Sequence, residues 1–207
     1  MSISKYRIEA FSDGVISIII TIMVLEIPLP ETFELSDLLA FSSSLIIYLL
    51  SFLVVGAFWN QHHQALSYLE QVNHKIIVAN IFFLFFLSLI PLFTKWVIQN
   101  QGSLIPVIGY DVVYLIVSFI YLLMFRLVVK FGDEERVKHL NDIFQSRKAF
   151  RPWKSLIILL LIVIMVVIGS IYLPNVANII LIGLPILSSI FNLFVSKQRK
   201  IAHKSIR

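Results

Sequence analysis

Six runs of about twenty apolar residues dominate the chain, at approximately 6 to 27, 36 to 59, 74 to 96, 104 to 127, 153 to 173 and 175 to 196. A helix rises 1.5 Å per residue, so each run comes near or above the roughly 20 residues that cross about 30 Å of hydrocarbon. The expected fold class is therefore an all-α integral membrane protein with six transmembrane helices per subunit. Residues 1–207 read as one six-span domain. Lys5 and Arg7 precede the first run as they would in a secretory signal. Glu9 and Asp13 inside it, and the lack of a small-residue cleavage pattern after Leu25, mark it as a retained helix. The last two runs meet at Leu173, Pro174 and Asn175, where proline starts a tight turn.

Charge decides how such helices lie in the bilayer. Only 14% of the chain is charged, with a mean hydropathy of +0.90, against roughly 25% charged residues in an average soluble domain. With the N-terminus in the cytoplasm, every Lys and Arg of the 17 falls on the inner side except Lys95, which is a strong positive-inside signal. The expected localisation is the cell membrane, multi-pass, with N- and C-termini both cytoplasmic. An amphipathic inner loop at about 131–152, containing GDEERVKHLNDIFQSRK, and a basic cytoplasmic tail at about 197–207 complete the inner face. The net charge of +5 is thereby accounted for by topology and by membrane lipids as partners, and nucleic acid is not expected. Glu26, Glu31, Glu34, Asp37 and Asp111 make the outer face acidic, a vestibule that would concentrate cations. There is no cysteine, which excludes disulfides and thiolate chemistry.

The first helix carries the most information. At about 100° per residue, Glu9, Asp13, Ser17 and Thr21 form a slowly drifting polar stripe at i+4. Beside it Ile18, Ile22 and Leu25 lie within about 60° of one another, and Glu26 ends the helix. Ionisable groups inside a membrane usually face protein or water and mark function. Asp13 lies about 12 Å beyond Lys5 along the helix.

Arg7, Phe11, Ser12 and Asp13 spell R-x-x-x-F-S-D at the start of the first of six spans. This resembles the prokaryotic branch of the endolysosomal potassium channel family, transmembrane protein 175 and its bacterial relatives, whose first helix bears that signature. The second span ends in FWNQHHQ, Phe58 to Gln64, which also resembles the family. The resemblance implies a homotetramer around a central pore lined by the first helix, without a carbonyl filter. It further implies that bulky aliphatic side chains of that helix make the narrowest point, and the positions matching them are Ile18, Ile22 and Leu25. Ser17, Thr21 and Glu26 are the pore-adjacent polar groups. Arg7, Phe11, Ser12 and Asp13, with Trp59, Asn60, His62, His63 and Asn80 of the second and third spans, would form a polar network holding that helix.

The expected function is a potassium-preferring, leak-like cation channel with an apolar constriction. An apolar neck offers an ion no replacement ligands and can gate by dewetting; potassium holds its water less tightly than sodium. No span carries arginine at every third position, so no voltage sensor is expected. VIGYD, Val107 to Asp111, shares only Gly-Tyr with a carbonyl filter. No cofactor is expected and no structural metal, potassium being only a transient permeant ion. Adjacent His62 and His63 point about 100° apart and are poorly placed to share a metal. The alternative reading is a secondary transporter, although the glycines and prolines of the spans do not fall into matching pairs. An enzyme is not expected, for want of a nucleophile with a base or a metal cluster.

Overall fold

The structure, a computed structural model, describes residues 3–132. The expected fifth and sixth spans, the inner amphipathic loop and the basic tail lie outside the described residues. Within them, four stretches are long and apolar enough to cross a membrane: Lys5–Leu25, Leu35–Leu66, His74–Gln99 and Leu104–Phe131. Helix α1 is Lys5–Leu25 and α2 is Leu35–Leu66. The third stretch is two helices, α3 at His74–Leu87 and α4 at Ile90–Gln99, and α5 is Leu104–Phe131. A two-residue antiparallel bridge joins β1, Ile3–Ser4, to β2, Gln71–Val72.

One expectation is corrected, the unbroken third span, and one is borne out: the second helix outlasts its apolar run, which ends near 59, and carries FWNQHHQ within it to Leu66. Polar residues end an apolar run without ending a helix, because Asn, Gln and His sit in helical conformation at little cost outside the hydrocarbon. The third span is broken at Ser88–Leu89. Pro91 has no amide hydrogen for the Leu87 carbonyl, and its ring crowds that carbonyl, so the helix restarts with proline in its first turn. Ser88 eases the break by donating its hydroxyl to the Phe85 carbonyl over 2.7 Å.

The packing faces keep a seven-residue rhythm. In α5 the buried residues include Val107, Tyr110, Tyr114, Val117, Met124 and Val128; in α2 they include Ser44, Ser51, Val55, Phe58, His62 and Ala65. Alternating steps of three and four are the signature of helices that pack at a shallow left-handed angle. Serine and alanine on the α2 face let backbones approach, as lipid-embedded helices require. The outward faces are apolar as well: Leu39, Ile46, Leu49, Ile81, Phe82 and Phe85 are exposed. That surface suits hydrocarbon rather than water.

The main cluster brings Ile16, Ile19 and Met23 of α1 against Val54, Val55 and Phe58 of α2, Phe83, Leu84 and Leu87 of α3, and Tyr110, Val113, Tyr114 and Val117 of α5. A second cluster, with Ile8, Leu66, Leu69, Val72, Ile76 and Val128, closes the end where the β bridge lies. At the opposite end Gly102 takes φ +89°, a left-handed turn that glycine adopts freely. Gln101 beside it receives the Ser43 hydroxyl at 2.5 Å and donates to Ser44 at 3.1 Å, tying the turn to α2.

Candidate pore helix and its anchors

Helix α1 has two unlike sides. Ile8, Ser12, Ile16, Ile19 and Met23 are buried against the other helices. Ile18 is 60% exposed, Ile22 43% and Leu25 78%, although all are as apolar as their buried neighbours. Phe11 is 58% exposed, and Arg7, Ser17 and Thr21 are exposed too. Among the described residues, one continuous face of α1 is thus left uncovered. Thr21 satisfies its hydroxyl on its own helix, donating to the Ser17 carbonyl over 2.8 Å.

The polar residues of α1 separate into two anchors. Asp13, partly buried, accepts a hydrogen bond from the Trp59 indole at 2.8 Å. The Trp59 ring stacks on His63 one turn on, with centroids 6.1 Å apart. On the buried side Ser12 accepts from the Asn80 amide at 3.0 Å, and Asn80 Oδ1 lies 2.6 Å from His62 Nε2. A carbonyl oxygen only accepts, so Nε2 carries the proton there. His62 is also stacked face to face on Phe83, with centroids 5.3 Å apart and rings 9° from parallel. Ser12, Asn80 and His62 are all buried, and their bonds join α1, α3 and α2 at one level. A buried polar set of this kind is tolerated because its members satisfy one another.

Of the residues expected to form the network, the structure therefore brings together Ser12, Asp13, Trp59 and His62, with Asn80, and stacks His63 on the rim. Among the described residues, Arg7 and Asn60 make no hydrogen bond to it. Lys5 and Glu9 form a separate ion pair at 3.6 Å along α1. The two adjacent histidines diverge, one into the core and one onto Trp59. Their identity follows from phase: His62 falls four residues after Phe58 and three before Ala65, both buried, whereas His63 falls on the outward side.

At the other end of α1, Glu26 caps the helix and is held by Lys95 of α4 at 2.7 Å. Sequence reasoning missed this pair, since it depends on α4 lying beside α1. It also narrows the expected acidic face, which keeps the carboxyls of Glu31, Glu34 and Asp37. Glu26 is not a free carboxylate, and Asp37 is occupied by the backbone amide and hydroxyl of Thr32 at 3.0 and 2.7 Å. Asp111 does not belong to that face at all: it is 2% exposed, and among the described residues neither carboxyl oxygen has a hydrogen-bond partner. The VIGYD stretch containing it is regular helix within α5, with its carbonyls committed to the helix rather than presented as a filter.

Residues 7–91 match the family model described as endosomal/lysosomal potassium channel TMEM175. A potassium channel of Chryseobacterium sp. is 36% identical over 136 residues, which cover 65% of this chain and 71% of the relative. A potassium channel of Streptomyces collinus is 31% identical, over 52% of this chain and 56% of its own length. The crystal structure of a lysosomal potassium-selective channel TMEM175 homolog from Chamaesiphon minutus shares the fold, with a TM-score of 0.64 at 23% identity, covering 89% of this chain and 97% of that one. The signature of α1, its buried anchor and the likeness to the Chryseobacterium channel place this membrane protein in the TMEM175 family, a family of ion channels and not of enzymes.

Proposed function

We propose that the chain is one subunit of a potassium-preferring, leak-like cation channel of the cell membrane, with both termini cytoplasmic. Four copies surround a central pore lined by α1. Ile18, Ile22 and Leu25 of each copy form an apolar neck about 10 Å long, with Ser17, Thr21 and Glu26 beside it. The observation that carries the reading is the uncovered face of α1. Aliphatic side chains of one helix are buried at Ile16, Ile19 and Met23 and exposed at Ile18, Ile22 and Leu25, while polar and small residues run alongside at Gly14, Ser17 and Thr21. A lipid-facing surface has no reason to be so mixed, whereas a surface facing other copies and water does. The names of the Chryseobacterium and Streptomyces relatives, both potassium channels, support the same reading.

Dehydration gives the selectivity. The neck supplies no oxygen ligands, so an ion sheds part of its water without replacement, and potassium does so at lower cost than sodium. The discrimination is weaker than that of a carbonyl cage, and the neck can close by dewetting.

A second reading, a secondary transporter, draws on the interrupted third span, since discontinuous helices near mid-membrane are a transporter feature. Purified protein in planar bilayers separates the two. The channel reading expects unitary current steps and a reversal potential that follows the potassium gradient more closely than the sodium gradient. Saturable, coupled flux without unitary steps would overturn it in favour of a transporter.

A further inference from the structure

We propose that Lys95 is a determinant of conductance: by pairing with Glu26 it cancels one negative charge per subunit at the mouth formed by the C-terminal end of α1. The inference rests on the channel reading above and adds a residue to it.

Glu26 follows Leu25 directly and ends the proposed pore helix. A carboxylate at that position meets the negative end of the helix dipole, an unfavourable arrangement that a nearby cation relieves. Lys95 supplies the cation from α4 at 2.7 Å. Both side chains keep solvent contact, 39% for Lys95 and 30% for Glu26. A pair so exposed holds the fold together only weakly. Its effect on the local field is larger, because charges at a low-dielectric mouth control the concentration of arriving ions.

The surroundings make that cancellation count. From Glu26 to Asp37 the chain has four carboxylates and no Lys or Arg. Asp37 is bonded by Thr32, and Glu31 and Glu34 are exposed. Lys95 is the cation that the described structure brings to this end of α1. Four copies around one axis multiply the effect of each pair by four.

Charge arithmetic provides the test. At this pair the wild type contributes zero, Lys95→Gln leaves −1, Glu26→Gln leaves +1, and the double variant returns to zero. The full chain is reconstituted in planar bilayers and the unitary current of potassium entering from the Glu26 side is recorded. In about 10 mM potassium, where the screening length is about 30 Å, Lys95→Gln is expected to raise that current about two-fold and Glu26→Gln to lower it by a similar factor. The double variant should return to the wild-type value. In about 1 M salt, with a screening length of about 3 Å, the differences should vanish. If the pair acted only as a clamp, both single variants and the double would shift in the same direction, and the proposal would fall. Equal currents in all four proteins would also overturn it. Absence of any cation current from the wild type would instead sink the channel reading itself.

Discussion

Trp59 of α2 donates its indole hydrogen to Asp13 of α1 across 2.8 Å, and this bond sits beside the buried Ser12–Asn80–His62 set without sharing an atom with it. The first helix is therefore gripped twice at one level, once on its partly exposed side and once in the core. Replacing Asp13 with alanine removes a hydrogen bond to a charged acceptor, the kind that contributes about 1.5–3 kcal/mol. The loss should appear as a lower melting temperature of the detergent-solubilised protein and a smaller fraction of assembled oligomer. Asp13→Asn keeps an acceptor for Trp59 and should lie nearer the wild type. Unchanged melting of Asp13→Ala would refute the anchoring role.

Asn80→Leu is expected to be the more damaging of the two anchor variants. It strands His62 Nε2 and the Ser12 hydroxyl in the core, and each buried unsatisfied group costs about 1–3 kcal/mol. Thermal unfolding followed by size-exclusion chromatography would register it. The paired change His62→Phe with Asn80→Leu should recover part of the loss, because it removes both partners together.

Asparagine at Ile18 or Ile22 should wet the proposed neck. Conductance is expected to rise and discrimination against sodium to fall, read as a reversal potential closer to zero under biionic potassium and sodium conditions. Wild-type selectivity in both variants would show that these side chains do not make the constriction.

How much of this was legible beforehand varies by residue. The spans are visible because hydrocarbon admits few alternatives to long apolar helices, and the face of Ile18, Ile22 and Leu25 follows from angle alone. The break at Ser88–Leu89 was concealed by composition: leucine and isoleucine surround Pro91, so hydropathy runs through while the hydrogen-bond ladder does not. The polar end of α2 shows the opposite case: its residues interrupt hydropathy but not the helix, and the FWNQHHQ stretch, not the apolar run, marks where the helix goes. The pairing of Lys95 with Glu26 and the burial of Asp111 depend on which helices are neighbours, and one sequence carries no such distance.

Gly109 of α5 packs directly beneath the aromatic rings of α4. A β-carbon there would lie 2.8 Å from the Phe93 ring and 2.9 Å from the Trp96 ring. Those rings already pack edge to face, 5.9 Å between centroids. Gly109→Val should force them apart and destabilise the protein by about 1–3 kcal/mol, the usual cost of overpacking. The measurement is the midpoint of thermal unfolding, and a midpoint equal to or above the wild type would contradict the close approach.

Asp111 invites the reverse experiment. A buried carboxyl without a partner among the described residues is a burden on the fold, and an apolar side chain of similar size removes that burden. Asp111→Leu is expected to raise the melting temperature. A fall would contradict that account of the carboxyl.

The interrupted third span has one more consequence. Its first half, α3, holds α1 through Asn80, and its second half, α4, meets the far end of α1 through the exposed Lys95–Glu26 pair. A single rigid rod would oblige both ends of α1 to shift in concert. With the helix interrupted at Ser88–Leu89, the two contacts fall on separate helical segments, so a change at one need not be transmitted along a single continuous rod to the other.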